Sequence, residues 1–186
     1  MDELVLQAMA KWPQVPDVYG WLRLDARGHW HLIDRNQPGF DGTLHRKGSP
    51  ITSPGITEFI SRNWACDERG CWYWQNGPQR VWVSLECTPL VYRAAHDEPT
   101  HLTAHTGTPA RHLERVAIDQ DGSLILVTEL GPGLLDDRDL AAMLPIIHAS
   151  SGRPLEDCLV DAAEALRFGP AGMPVERLSA DSLETE

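Results

Sequence analysis

Residues Gly48–Arg93, GSPITSPGITEFISRNWACDERGCWYWQNGPQRVWVSLECTPLVYR, decide the reading of the fold. Ser53-Pro54 is a helix start, a hydroxyl N-cap followed by proline at the first helical position. Ile56, Phe59 and Ile60 then supply the i, i+3, i+4 apolar face of a short helix. Asp67-Glu-Arg-Gly70 closes a turn. Cys71–Trp74 and Gln79–Leu85 are rich in aromatics and valine and read as strands joined by Asn76-Gly-Pro78. Strand side chains alternate, so Val81, Val83 and Leu85 take one face and Trp82, Ser84 and Glu86 the other. The order helix, strand, turn, strand gives an α+β protein. Four of the seven tryptophans lie in this stretch, which makes it the candidate core as well.

Toward the N-terminus, Leu4–Trp12 forms one or two apolar helical turns that Pro13 and Pro16 end. Leu22, Leu24 and Trp30, Leu32 fall on period-2 positions either side of Asp25-Ala-Arg-Gly28, a hairpin with a glycine-closed turn. Asn36–Lys47 is polar and carries Pro38, Gly39 and Gly42, a loop. Toward the C-terminus, Pro89 interrupts the strand pattern and Leu90-Val-Tyr92 reads as its continuation. Ala94–Pro109 is a polar loop or edge segment, and Val116–Leu130 is a second hairpin around Asp119-Gln-Asp-Gly122. Asp136–Ala149 is helical, with a kink at Pro145. Leu155, Cys158, Leu159, Ala162, Ala163 and Leu166 form an amphipathic stripe that predicts a helix over Pro154–Phe168. Gly169–Glu186 is short of large apolar residues and reads as frayed.

Leu24-Asp-Ala-Arg-Gly28-His-Trp30-His-Leu32 aligns without a gap on Ile118-Asp-Gln-Asp-Gly122-Ser-Leu124-Ile-Leu126. Each hairpin is followed, after a Gly/Pro loop, by a helix. Asp-x-x-Gly hairpins are common, so duplication and coincidence both stay open at this point. The expected organisation is an N-terminal arm (1–18), a first α+β subdomain (19–95), a related second subdomain (96–168) and a flexible tail (169–186). Each subdomain is expected to be a twisted antiparallel sheet with one or two packed helices.

Gly48-Ser-Pro-Ile51, the helix Ile56–Ile60, Asp67-Glu-Arg-Gly70-Cys-Trp-Tyr-Trp74 and the strand from Val81 to Val91 resemble a group of uncharacterised bacterial proteins known only as a domain of unknown function. The resemblance implies α+β proteins with two similar subdomains, linked to signalling or nutrient sensing, and it carries over no catalytic residues. It covers Tyr19–Arg93. The second half matches only in element order, and the polar insertion Asn36–Lys47 departs from the pattern.

A chain of 186 residues can bury a core large enough to need no metal or disulfide. Its formal net charge of −11 argues against nucleic-acid or membrane-surface partners, which are themselves polyanions. No window approaches the roughly 20 apolar residues of a membrane span. The start, MDELVLQAMAKWPQVP, lacks the basic region of a signal peptide. Four unpatterned cysteines fit a reduced compartment, and the expected location is cytoplasmic.

Chemistry-bearing residues are less eloquent. His29 and His31 share a strand face, and His96, His101 and His105 lie close in sequence, but no HExxH or CxxC pattern assembles a metal site from them. Cys66, Cys71 and Cys87 read as small buried strand residues before they read as a zinc or redox cluster. There is no G-x-S-x-G elbow and no phosphate-binding P-loop. Asp136-Asp137 is explained as helix-start charge. No cofactor and no metal are assigned.

The aromatics remain. Trp72 and Trp74 share one strand face and Trp82 lies on the adjoining strand. Either they build the core between sheet and helix, or they line a concave pocket rimmed by Arg80, Arg93 or His31 that takes a small ligand. The leading functional expectation is a non-catalytic module that senses or regulates by binding a small molecule or a protein partner. Two other classes stay open: a hydrolase or metal-dependent enzyme using His29, His31 and nearby acids, and an interaction protein, a homodimer through an exposed sheet or helix face.

Overall fold

The computed structural model describes residues 1–159 and 164–178. The chain divides into two units, residues 1–89 with 105–107, and residues 90–104 with 108–186.

The first unit is a six-stranded sheet with two helices. Helix α1 (Glu3–Lys11) stops where Pro13 removes the next donor. Strands β1 (Val18–Leu24) and β2 (Trp30–Leu32) form the expected hairpin, with Leu24 opposite Trp30 and Leu22 opposite Leu32. A short β3 (Ser49–Pro50) edges β2. Helix α2 (Pro54–Arg62), with Pro54 at its first position, crosses from that edge to the opposite one. Strands β4 (Trp64–Cys66), β5 (Trp72–Asn76) and β6 (Gln79–Leu85) then step back inward, and β6 docks beside β1 in parallel. The strand order is β3-β2-β1-β6-β5-β4.

Its core lies between sheet and α2. Leu22, Leu24, Trp30, Ile60 and Val81 are buried together, and Trp64, Trp74, Val83 and Leu85 pack on them. Each large side chain so buried contributes about 1.5–3 kcal/mol. Of the predicted helix face only Ile60 is fully covered; Ile56 is 49% exposed. Helix α1 is fastened to the end of α2: the Asp2 N–H donates to Asn63 Oδ1 (2.7 Å), and Arg62 Nε donates to the Asp2 carboxylate (3.2 Å).

The second unit holds β7 (Leu90–Ala94), β8 (Leu102–Ala104), β9 (Leu113–Ile118), β10 (Leu124–Thr128), β11 (Gly131–Leu135), β12 (Ile147–Ala149), β13 (Leu166–Phe168) and β14 (Met173–Arg177). Their order is β12-β13-β14-β9-β10-β11-β7-β8. A short helix α3 (Leu140–Met143), flanked by 3-10 turns, links β11 to β12, and α4 (Leu155–Leu159) follows β12.

Set side by side, the two sheets are the same construction. A three-strand meander is followed by a helical crossing to the far edge and a second meander that returns inward. The first and last strands of the series meet in the centre, parallel: β1 with β6, and β9 with β14. In the second unit β7 and β8 are added outside β11. The turns agree at the level of single bonds. Asp25 Oδ1 accepts from the N–H groups of Arg27 (2.9 Å) and His29 (2.8 Å), and Asp119 Oδ1 accepts from those of Asp121 (2.9 Å) and Ser123 (2.8 Å). Beyond the central pair, the Glu86 N–H donates to Leu24 O (3.0 Å) and the Leu178 N–H to Ile118 O (2.9 Å). The two-subdomain α+β expectation stands, and the sequence echo marks a structural repeat.

Several expectations require correction. The sheets are mixed, not purely antiparallel, because a helical crossing between two three-strand meanders returns the last strand in the direction of the first. Leu90-Val-Tyr92 does not continue β6; it begins the second sheet, parallel to β11. Asp136–Ala149 is not one helix. Asp136 caps as expected, accepting from the Arg138 N–H, but Pro145 falls in a 3-10 turn and Ile147–Ala149 is strand β12. The predicted helix Pro154–Phe168 is α4 over Leu155–Leu159 only, and Leu166–Phe168 is strand. Ala162 and Ala163 lie outside the described residues. Within the predicted tail, Met173–Arg177 is β14, paired on both sides; 179–186 lie outside the described residues. Cys66, Cys71 and Cys87 are exposed rather than buried, and only Cys158 is covered.

Candidate functional site

The two faces of the first sheet have different fates. Period-2 alternation sends Leu22, Leu24, Val81 and Val83 to the α2 side. It sends Arg23, Trp82, Ser84 and Glu86 to the other side. Over Arg23, Ser84 and Glu86 the chain between β2 and β3 folds as a strap, residues 34–48.

The strap is built by local polar chemistry. Asp41 Oδ1 accepts from the N–H groups of Thr43 (2.7 Å) and Leu44 (2.9 Å), which hold its carboxyl below the usual range. The His45 N–H donates to Asp41 O (2.9 Å), and Phe40 stacks on the His45 ring at 5.7 Å. Gly48 ends the strap with φ +66° and sets the chain against β2.

Between strap and sheet lies a cavity of about 610 Å³. Its lining gathers Arg23 from β1, Arg35 from the start of the strap, and Arg46 and Lys47 from its end, against a single carboxylate, Glu86. Arg23 is held by Glu86 (2.6 Å), and Arg35 Nη1 donates to Tyr19 O (2.9 Å). Arg46 and Lys47 make no ion pair among the described residues. In a chain of net charge −11 this is a local reversal of sign. Apolar surface comes from Tyr19, Ile33 and Phe40. Tyr19 is 60% exposed and stacks on Trp82 at 6.1 Å, with the rings 14° from parallel. Trp82 is fixed from behind by its Nε1–H donating to Asp17 (2.8 Å), and Arg80 lies over Tyr73 at 4.1 Å and over Trp82 at 5.4 Å.

The six residues expected to bind ligand therefore separate. Trp82 and Arg80 belong to the aromatic stack that reaches the cavity through Tyr19. Trp74 faces the core, edge-on to Phe59 (6.0 Å), and Trp72 packs against Trp64 (5.2 Å) on the same side. His31 is mostly buried, its Nε2 2.9 Å from Asp25 Oδ2. Arg93 belongs to the second unit, where it pairs with Asp139 (2.6 Å) and lies 3.8 Å from the fully buried Asp136. Sequence patterning does not single out the cavity lining, because Arg35, Arg46 and Lys47 sit in a polar stretch with no periodicity. The available signal was that Asn36–Lys47 departs from the family pattern and is locally basic at its end.

The histidine cluster is also placed. His29 Nδ1 (3.1 Å) and His31 Nε2 (2.9 Å) share Asp25 Oδ2, while Asp25 Oδ1 braces the hairpin turn. Burial pushes this carboxyl up, but hydrogen bonds from the His29 N–H, His31 and the Arg27 N–H outweigh it and hold the pKa at about 2. Such a carboxylate is a poor proton acceptor at neutral pH. Burial lowers the His105 pKa to about 4 despite the nearby Asp25 charge. Among the described residues no group of three or more His, Cys, Asp or Glu is placed to hold a metal ion. No helix of the described residues is long and apolar enough to cross a membrane.

Residues 1–186 match the family described as "Protein of unknown function (DUF2946)". No curated protein matches the chain. Among solved structures, a DUF1285 family protein from Silicibacter pomeroyi DSS-3 is similar over 99% of this chain and 99% of that one, with 15% identity and a TM-score of 0.55. A DUF1285 family protein from Shewanella baltica OS155 aligns over 74% of this chain and 96% of that one, with 16% identity and a TM-score of 0.45. The first of these likenesses extends to the fold of the whole chain, and to the fold alone.

Proposed function

We propose that this chain, which belongs to that family over its whole length, is a non-catalytic module that binds a small ligand in the cavity between strap and sheet of its first unit, in a sensing or regulatory role. The observation that carries this reading is the convergence of four cations from three separate segments on one cavity in an acidic chain. Cavities of about 300–1,000 Å³ with a few convergent polar groups are the usual form of small-molecule sites. Against the enzyme alternative stands the use of Asp25, His29 and His31 in bracing one hairpin turn, away from the cavity lining.

The reading is tested by tryptophan fluorescence. Trp82 lies directly behind Tyr19 at the cavity wall. A panel of small organic compounds, anionic, neutral and cationic, is titrated against the purified protein. At least one should change the emission saturably, and Trp82→Phe should lose most of that signal while binding persists by calorimetry. A flat response to every charge class, by both methods, refutes it.

A further inference from the structure

Resting on that reading, we infer that the ligand of the strap cavity is a phosphate ester carrying a flat aromatic ring, of about mononucleotide size. Three independent features of the cavity set these requirements.

Charge sets the first. Of the four cations only Arg23 is matched by a carboxylate of the lining, Glu86 at 2.6 Å. Arg35 is oriented by a neutral carbonyl, Tyr19 O, which fixes its position without cancelling its charge. Arg46 and Lys47 are left uncompensated among the described residues. The surplus of three positive charges suits a group carrying close to two negative charges at neutral pH, as a phosphate monoester does, better than a single carboxylate. Arginine also offers planar, paired donors that match phosphate oxygens. The overall charge of −11 repels a long polyanion at distance, so a short ligand fits where a nucleic-acid strand does not.

The aromatic wall sets the second. Tyr19 is 60% exposed, its ring near-parallel to that of Trp82 at 6.1 Å, and Trp82 is tied to Asp17. An exposed ring at the edge of a cationic cavity is a stacking platform for another flat ring. Phe40 on the strap adds apolar lining. Size sets the third: about 610 Å³ is ample for a ring with a phosphate-bearing arm and far more than inorganic phosphate would use.

The experiment uses the full chain and four probes: adenosine 5′-monophosphate, phenyl phosphate, adenosine and ribose 5-phosphate. Affinities are read by calorimetry and tryptophan fluorescence at low and moderate salt. The two ring phosphates should bind saturably, with adenosine and ribose 5-phosphate each at least tenfold weaker. Raising salt should weaken the ring phosphates and leave any residual adenosine binding unchanged. Arg46→Gln combined with Lys47→Gln, both on exposed positions, should weaken adenosine 5′-monophosphate at least tenfold with an unaltered circular dichroism spectrum. Arg46→Gln alone gives an intermediate loss and guards against a folding defect in the pair. Adenosine binding as well as its monophosphate would overturn the phosphate requirement, and ribose 5-phosphate doing so would overturn the ring requirement. If none of the four binds while a neutral or cationic compound of the broader panel does, this inference falls and the small-ligand reading survives. If nothing of any charge binds, both fall together.

Discussion

Gly48→Ala and Gly39→Ala make a matched pair of perturbations in the strap. Both glycines have left-handed backbone, φ +66° and +71°, so alanine at either meets the same conformational penalty of about 1 kcal/mol. Their surroundings differ. A Cβ on Gly39 meets nothing within 4 Å. A Cβ on Gly48 falls 2.6 Å from Leu32 O, 2.9 Å from Leu32 C and 3.1 Å from Ile33 Cγ1. The first two are backbone atoms of Leu32 at the end of β2, where Leu32 pairs with Ser49, and they cannot rotate aside as a side chain would. Either the β2–β3 pairing or the strap must move, an overpacking cost of roughly 1–3 kcal/mol in addition. Gly39→Ala is thus expected to cost about 1 kcal/mol and Gly48→Ala about 3 kcal/mol. Urea unfolding followed by tryptophan fluorescence reads the difference, since Trp30, Trp64 and Trp74 report on this unit's core. Amide exchange over residues 34–48 should rise in Gly48→Ala and stay near wild type in Gly39→Ala. Equal midpoints for the two variants, within about 0.5 kcal/mol, would refute the close approach at Gly48.

Two further outcomes follow from buried groups. His105 titrates at about 4 in the folded chain against 6.5 when exposed, so between these values the unfolded state binds the extra proton. Stability therefore falls as pH drops from 6.5 toward 4, by about 3 kcal/mol in total, and His105→Asn should flatten that slope in denaturation curves taken at pH 7 and pH 4.5. In the second unit, a Cβ on Gly133 would lie 2.6 Å from Cδ2 of the buried Tyr92, whose hydroxyl bonds Thr128 Oγ1 (2.7 Å) and Gly131 O (2.9 Å). Gly133→Ala should destabilise this unit by about 2–4 kcal/mol, and Tyr92→Leu should relieve part of that cost in the double variant.

What the sequence disclosed divides by range of interaction. The Asp25 and Asp119 hairpins were legible because their turns are closed by bonds within five residues, and the side-chain alternation around them is local. Helix α2 was legible for the same reason, from Ser53-Pro54 and its apolar spacing. The parallel pairing of β1 with β6 was not, since nothing within either strand encodes a partner some 60 residues away. Strand β14 was missed because Pro174 and Glu176 alternate with a single buried residue, Val175, and only its neighbours β9 and β13 make it a strand. Leu166 fitted a helical stripe by spacing, yet it is buried from a strand, where periodicity of 3.6 has no meaning. At the site, the tryptophans drew attention because they are large, but most of them serve the core. The cavity depends on charges at both ends of a loop, and their convergence is a property of the strap's closure by Asp41 and Gly48 rather than of any motif.

The central position of the last strand has a consequence for the making of the chain. A ribosome that has released everything up to residue 170 has produced a second sheet in two separate pieces, β9-β10-β11-β7-β8 and β12-β13. Each piece presents a raw edge toward the gap, and on the β9 side that edge carries Val116, Ala117 and Ile118, all destined for burial. Among the described residues only Met173–Arg177 joins them. Hydrophobic edges held open until β14 has been made are sites of misassociation between nascent chains. The first sheet escapes this exposure, because its closing strand β6 is complete by Leu85, before any strand of the second sheet has been made.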